Sequence, residues 1–489
     1  MDTVRTRIAP APSGFLHIGT AKTAMYNWLL ARKHGGAFVL RLEDTDVSRT
    51  EEQYVQGMCE GFMWLGIEWD EGPDFGDEPA RGAYGPYRQS RRKDLYRREV
   101  TRLLDEGKAY KCFATKEEID AFRTEHPHER FVSPWRDADS AKVAAMGDAP
   151  YAVRFRVPPG ETVLNDLIQG EVRWDNSQYD DFVILKPGGE PVFHLAVVVD
   201  DAHMKMTHVI RGDAHLTNTP RHLMLFEALG YPPPAFAHHP LVHDEQGRKF
   251  SKRLHGANVL DWRDDGYLPE TIINYVALLG WSSEEENREF FTLEELIDMF
   301  SLDRLGKSAA KFDRKKLDWL NGQHVRRLDV ADLRDRLVRI LEKHGFDLSG
   351  CSEAWLTKLA AICQEKLPTL NHVVTLTDFF FQEVGSYEEK GVKKQFSKEQ
   401  SLAWLEGARE ALEQAEAWNH DALYAAYQQK AEAMGVGLGK LVNPTRLALT
   451  GKTVGPGLFE LAELLGRDTA LARMDRAIAY VRTLGGSTS

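Results

Sequence analysis

Cysteine is scarce in this chain. Four cysteines in 489 residues (Cys59, Cys112, Cys351 and Cys363) cannot build a disulfide framework, and they fit a reducing compartment. Long apolar runs are missing as well; none reaches the roughly 18 residues of a membrane span. No basic stretch followed by an apolar one opens the chain, so no secretory signal is expected. These absences predict a soluble, cytoplasmic protein with no membrane partner, and a monomer is expected. Basic residues are outnumbered, 62 Lys and Arg against 74 Asp and Glu, for a formal net charge of −12. That balance argues mildly against a nucleic-acid partner, because phosphate is neutralised by Lys and Arg. The argument is weak, since local patches set the field that a partner meets. What the chain has in quantity is apolar residues, 43%, beside 28% charged ones, which is enough for several packed cores. At roughly 100–200 residues per domain, three or four folded units are expected.

The opening residues carry the most information. Thr3 to Ala9 has strand character, and Pro10-Ala11-Pro12-Ser13-Gly14 reads as an irregular turn, because proline fixes φ and withholds a donor. His17-Ile18-Gly19-Thr20 then opens a long amphipathic helix that runs to about Lys33 and closes at His34-Gly35-Gly36. A second strand, Ala37 to Glu43, ends in Asp44-Thr45-Asp46. Strand, turn, helix and strand make a βαβ unit with a parallel pair. In such α/β sheets ligands bind beyond the carboxyl ends of the strands. Arg7 to Gly14, His17, Gly19 and Glu43 are thereby expected around one crevice.

The segment from Thr6 to Thr20, TRIAPAPSGFLHIGT, resembles the HIGH element of class I aminoacyl-tRNA synthetases in its glutamyl, bacterial-type form. The likeness extends through RLEDTD (41–46), GPYRQS (85–90), VVVDD (197–201), THVIRG (207–212) and NTPR (218–221). Lys249-Phe-Ser-Lys-Arg253 resembles the KMSKS loop. Two such signatures, in the right order and far apart, form a much stronger joint signal than either alone. The resemblance implies a Rossmann-like catalytic domain with an α+β insertion, followed by an all-α anticodon-binding region. It divides the chain at 1–88 and 191–246 (catalytic halves), 89–190 (insertion gripping the acceptor end), 247–327 (Lys loop and stem contact) and 328–489.

The reaction so implied is attack of the glutamate carboxylate on the α-phosphorus of ATP, then transfer of glutamate to the 3′ end of tRNA-Glu. Charging of tRNA-Gln as well is left open. A protein helps such chemistry by positioning and by placing positive charge where negative charge develops. The resemblance gives the catalytic roles to His17, Lys249 and Lys252. It gives ATP binding to these three with Pro10, Ser13, Gly14, Gly19, Thr20 and Ser251. Mg²⁺ is expected to arrive on the ATP phosphates without a protein cage. Glutamate has two carboxylates and an ammonium, so guanidinium forks and one acid are wanted. The resemblance assigns Arg7 and Arg211 to the carboxylates and Glu43 to the ammonium, with Ala9, Ala11 and Phe193 beside them.

Three positions depart from the family pattern. Many relatives have Ser or Thr at Ala11, Tyr at Phe193 and an acid at Ala214. Waters or another side chain, such as His194, could replace the lost donors, or the amino-acid specificity could be shifted. In the insertion, some relatives carry zinc on three cysteines and a histidine; here Cys112 stands alone, and no zinc is expected. Tyr151 to Arg156 reads as an alternating strand. Asn258 to Trp281 reads as helical, with Leu268, Ile272, Ile273, Tyr275 and Val276 on its apolar face.

Lys307, Lys311, Arg314, Lys315 and Lys316 cluster in an otherwise acidic chain, so contact with the tRNA backbone is expected there. From about Leu328 the reading is helical, broken at Gly350, Pro368, Gly385, Gly435, Pro444 and Gly455-Pro456. Lys366 is expected at the last anticodon base. Two rival readings compete. A non-tRNA nucleotidyltransferase has no use for some 160 further helical residues, and a non-catalytic RNA-binding paralogue would have lost His17 or the Lys loop.

Overall fold

The structure, a computed structural model, describes residues 3–45, 51–127, 129–244, 246–248 and 258–485. Lys249, Ser251 and Lys252 therefore lie outside the described residues, as does Asp46. The chain divides into two compact units, Met1–Asp264 with Pro269–Arg314, and Asp265–Leu268 with Lys315–Ser489. The division falls inside the stretch 247–327 that the sequence reading assigns to one stem-contact domain.

The first unit begins with β1 (Arg5–Ile8), α1 (Ile18–Lys33) and β2 (Ala37–Leu40). β1 and β2 pair in parallel, Arg5 opposite Ala37 and Ile8 opposite Leu40. The helix is not the amphipathic one expected: Ala24 to Ala31 are all buried. It packs against β1, β2 and further elements of the unit, so an apolar surface nearly all round is what its position requires. After α2 (Glu52–Trp64), the insertion supplies α3 (Lys93–Asp105), β3 (Ala109–Cys112), α4 (Lys116–Glu125) and α5 (Ser140–Ala144). It continues with β4 (Ala152–Phe155), β5 (Glu161–Asp166), β6 (Gly170–Asp175) and β7 (Val183–Leu185). β4 is the strand expected within 151–156, and it lies antiparallel between β3 and β7. β5 and β6 form a separate hairpin.

The chain then returns through α6 (Phe193–His203), β8 (His208–Gly212), α7 (Thr219–Ala228) and β9 (Ala235–His239), with β8 and β9 parallel. The amide of Thr207 donates to Arg5 O at 3.0 Å, which brings the two parallel pairs side by side. The insertion does not fold apart from this half. Val100, Phe155 and Ile184 share one core with Leu195, Val209, Leu225 and Phe236.

β10 (Val242–His243) pairs with β11 (Ala310–Lys311), and between them lie α8 (Val259–Asp264), α9 (Pro269–Leu278) and α10 (Leu293–Met299). The helix expected over 258–281 is thus two helices. Gly266 stands at φ +84°, in the left-handed region that ends a helix, and Pro269 opens the next one.

The second unit is helical: α11 (Arg314–Arg327), whose first residue closes the first unit, then α12 (Val330–Lys343), α13 (Glu353–Gln364) and α14 (His372–Phe381). After α15 (Glu389–Gly391) follow α16 (Ser401–Gln414), α17 (His420–Ala433), α18 (Gly439–Thr450), α19 (Leu458–Leu465) and α20 (Arg467–Gly485). One core gathers Leu268, Val325, Leu337 and Leu359, and another gathers Leu405, Leu412, Tyr427, Leu447 and Met474. The break expected at Pro444 is absent, for this proline lies inside α18. It sits in the second turn and is buried, so tertiary packing offsets the one backbone hydrogen bond it withholds.

Candidate active site

β1 runs into Ala9-Pro10-Ala11, and Pro10 O accepts the amide of Glu43 at 3.0 Å, which fixes the segment after β2 beside the one after β1. Ser90 donates to Asp44 through both its amide and its hydroxyl, at 2.7 Å each, so the RLEDTD and GPYRQS segments lock together. The turn ends at His17, the N-cap of α1, whose Nδ1 accepts the amide of Gly19 at 3.0 Å. A neutral ring with Nδ1 accepting carries its proton on Nε2. A Cβ on Gly19 would lie 3.3 Å from that Nδ1, so the glycine protects the cap itself.

A cavity of about 420 Å³ lies where these segments leave the strands. Arg7, Ala9, Ala11, Glu43, Phe193 and Arg211, the residues expected to hold an amino acid, all line it. So do Pro10, His17, Gly19 and Thr20 of the expected nucleotide set, but not Ser13 or Gly14. Ala214, one of the departures, also faces it. Lys22, Thr23, His215 and His239 line the cavity although the sequence reading missed them. Lys22 could have been noticed as a charge in the apolar run of α1. It is buried, its Nζ donates to Pro240 O at 3.0 Å, and burial lowers its pKa to about 8 against the opposing pull of Asp213.

Beneath the cavity lie two adjacent buried acids. Asp201 accepts from Arg7 Nε at 3.2 Å and Nη2 at 3.3 Å, and from Arg41 Nη1 at 2.7 Å. Burial alone would raise its pKa, but the two guanidinium groups hold it below the usual carboxylate value. Asp200 accepts from Arg92 Nε, Gln89 Nε2 and Tyr96 Oη at 2.7–2.8 Å. The acidic pair after the apolar run LAVVV was a visible signal that received no role. Glu43 stands 3.7 Å from Arg41, and burial pushes its carboxyl up to about 7 despite Arg41 and Arg7.

Arg211 differs from Arg7. Its Nε donates to His238 Nε2 at 3.0 Å, its Nη1 lies 3.3 Å from His222 Nδ1, and its Nη2 donates to Thr219 Oγ1 at 2.8 Å. Among the described residues it forms no ion pair. Burial, and Arg7 nearby, lower its pKa to about 9. Phe193 packs its ring against His194, His215 and His222. His194, one side chain that could replace lost donors, does not line the cavity; its Nδ1 lies 3.1 Å from His222 Nε2.

Both flanks of the Lys-bearing segment are tied down. Arg248 donates to Asp244 through its amide and Nε, at 2.8 Å each, and the amide of Val259 donates to Leu16 O at 2.9 Å, one residue from His17. Of the basic cluster, Lys307, Lys311 and Arg314 belong to the first unit, Lys315 and Lys316 to the second. Lys307 donates to Gln169 O at 3.3 Å, and Lys315 is exposed on α11. Lys366 is exposed just beyond α13. Cys112 is buried in β3 with its sulfur 3.3 Å from Ser133 Oγ.

Residues 3–319 match the family described as tRNA synthetases class I (E and Q), catalytic domain, and residues 331–478 match an anticodon binding domain. The glutamate–tRNA ligase of Moorella thermoacetica is 43% identical over 496 residues, covering 99% of each chain. That of Desulforudis audaxviator is also 43% identical, over 98% of this chain and 97% of its own. A crystal structure of a glutamate tRNA ligase from Elizabethkingia meningosepticum, in complex with its amino acid, superposes with a TM-score of 0.88 at 31% identity, covering 98% and 99% of the two chains. With the cavity at the strand ends, the cap at His17 and matches over both halves of the sequence, this chain belongs to the class I tRNA synthetases of the E and Q type.

Proposed function

We propose that the chain activates L-glutamate with ATP to glutamyl-adenylate and transfers the glutamyl group to the 3′ end of tRNA-Glu. In the first step a glutamate carboxylate oxygen bonds to the α-phosphorus and the bond to pyrophosphate breaks. In the second a terminal hydroxyl of tRNA attacks the acyl carbon and AMP leaves. The observation that carries the reading is Arg211: a buried guanidinium at a cavity wall, held only by neutral partners among the described residues. Such a cation calls for an anionic ligand, and a carboxylate matches its fork. Arg7 and Glu43 at the same cavity supply a second cation and one acid for the ammonium.

The Nε2–H of His17 suits an ATP phosphate beside the N-terminus of α1, where the helix dipole adds its positive end. Lys249 and Lys252 would add charge from the segment that rejoins the described chain next to His17. Among the described residues no three His, Cys, Asp or Glu side chains could cage a cation, so Mg²⁺ is taken to arrive with the ATP phosphates. No zinc is expected, because Cys112 is the one cysteine within 89–190, and elemental analysis of the pure protein tests this directly. The α11 face with Lys315 would meet the tRNA backbone and Lys366 the anticodon.

The test is charging of tRNA-Glu and tRNA-Gln transcripts with glutamate and with glutamine. Glutamate on tRNA-Glu is the expected product. Faster charging with any other amino acid overturns the reading, and the tRNA-Gln arm decides whether a second tRNA is accepted.

A further inference from the structure

Arg211 is oriented by a chain of groups that begins in the insertion. Asp166, the last residue of β5, places Oδ1 to accept three amides: Gln169 at 2.8 Å, Ile168 at 2.9 Å and His238 at 3.2 Å. Its Oδ2 lies 2.6 Å from His238 Nδ1, and both side chains are buried. On the other side of the ring, Nε2 faces Arg211 Nε at 3.0 Å and Thr219 Oγ1 at 3.1 Å, a hydroxyl that accepts from Arg211 Nη2 and donates to His215 O. A guanidinium only donates, so His238 Nε2 accepts. The ring is therefore neutral, with its proton on Nδ1 and donated to Asp166. A protonated ring would turn an N–H against an N–H and add charge beside a buried cation.

We infer that His238, set by Asp166, is a specificity-determining positioning residue: it aims Arg211 at the cavity without neutralising it, so that the charge stays available to a substrate carboxylate. A carboxylate in place of the imidazole would orient Arg211 equally well and would spend its charge inside the protein. The inference rests on the proposed glutamate reading.

Asp166→Asn tests it. Three amides hold the Oδ1 position, so the new NH2 falls where Oδ2 was and faces His238 Nδ1. The ring must then accept there and carry its proton on Nε2, where Thr219 Oγ1 can take it, but Arg211 Nε loses its acceptor and meets an N–H. The measurements are tRNA charging with glutamate varied at saturating ATP, the reverse titration, and thermal melting. Expected is a rise of about 30-fold or more in KM for glutamate, with KM for ATP and kcat within about threefold and little change in melting. His238→Gln can give Oε1 to Arg211 and its NH2 to Asp166, and it should keep KM for glutamate within about fivefold. If the parent enzyme charges glutamate but Asp166→Asn leaves its KM unchanged, or raises both KM values together, the inference is overturned and the glutamate reading stands. If Asp166→Asn fails to fold, failure of His238→Gln to preserve KM overturns it instead. A parent enzyme that does not charge glutamate overturns the underlying reading.

Discussion

His17 Nδ1 accepts the amide of Gly19 at 3.0 Å, so the residue expected to face phosphate also caps the helix it opens. The two functions use different nitrogens and can be separated. His17→Asn retains a good N-cap and should melt within about 0.5 kcal/mol of the parent. It loses the Nε2 donor, and kcat for charging should fall roughly 10²-fold. His17→Ala loses both and should also be about 1 kcal/mol less stable. Normal turnover in His17→Asn would show that this ring only caps.

Glu43 should carry a pH dependence whose sign follows from its burial. Burial raises its carboxyl to about 7, so below that pH the side chain is protonated and above it ionised. If the carboxylate receives the substrate ammonium, kcat/KM for glutamate should climb about tenfold per pH unit toward 7 and level off above it. Glu43→Gln should lower the plateau and flatten the profile. A flat profile between pH 5.5 and 7 in the parent enzyme, a window taken about the usual reach of such a titration, contradicts the assignment.

Lys315 lies exposed near the start of α11, with Lys316 beside it. Replacing both with Ala should weaken tRNA binding and reduce the slope of log affinity against log salt by about 0.7–0.9 for each phosphate no longer neutralised. Filter binding across a salt series measures this. An unchanged slope returns the pair to an ordinary solvated helix face.

The parts of the fold that could be read from sequence are those with local causes. In the first βαβ unit, Pro10 and Pro12 separate β1 from α1, and Gly35 and Gly36 separate α1 from β2, punctuation that acts within a few residues. Part of the cavity wall was legible because Ala9, Pro10, Ala11 and Glu43 follow the ends of β1 and β2. Pro444 shows the limit of such reasoning, since a residue that breaks an isolated helix persists where neighbours bury it. The roles of Asp201, His238 and Thr219 were not legible. They depend on partners 194, 27 and 8 residues away, and no periodicity encodes such pairings. Lys22 sits between these cases, as its sequence context was anomalous but its target, Pro240 O, lies 218 residues on.

The pairing of Arg7 and Arg41 with Asp201 also sets an order of events during synthesis. The arginines leave the ribosome 194 and 160 residues before their shared acid. Until Asp201 follows, Arg7 lacks the acid it is buried against and Arg41 has, among the described residues, only Glu43, 3.7 Å away, so burying the pair would be costly. A nascent chain stalled before residue 201 thus holds β1, α1 and β2 but no closed floor beneath them. The insertion, made in the interval, waits as well, because its core is shared with Val209, Leu225 and Phe236, which come later still. One carboxylate thus comes before the cavity can have a floor, and its far wall, Arg211 and His239 to Val242, leaves the ribosome only after that.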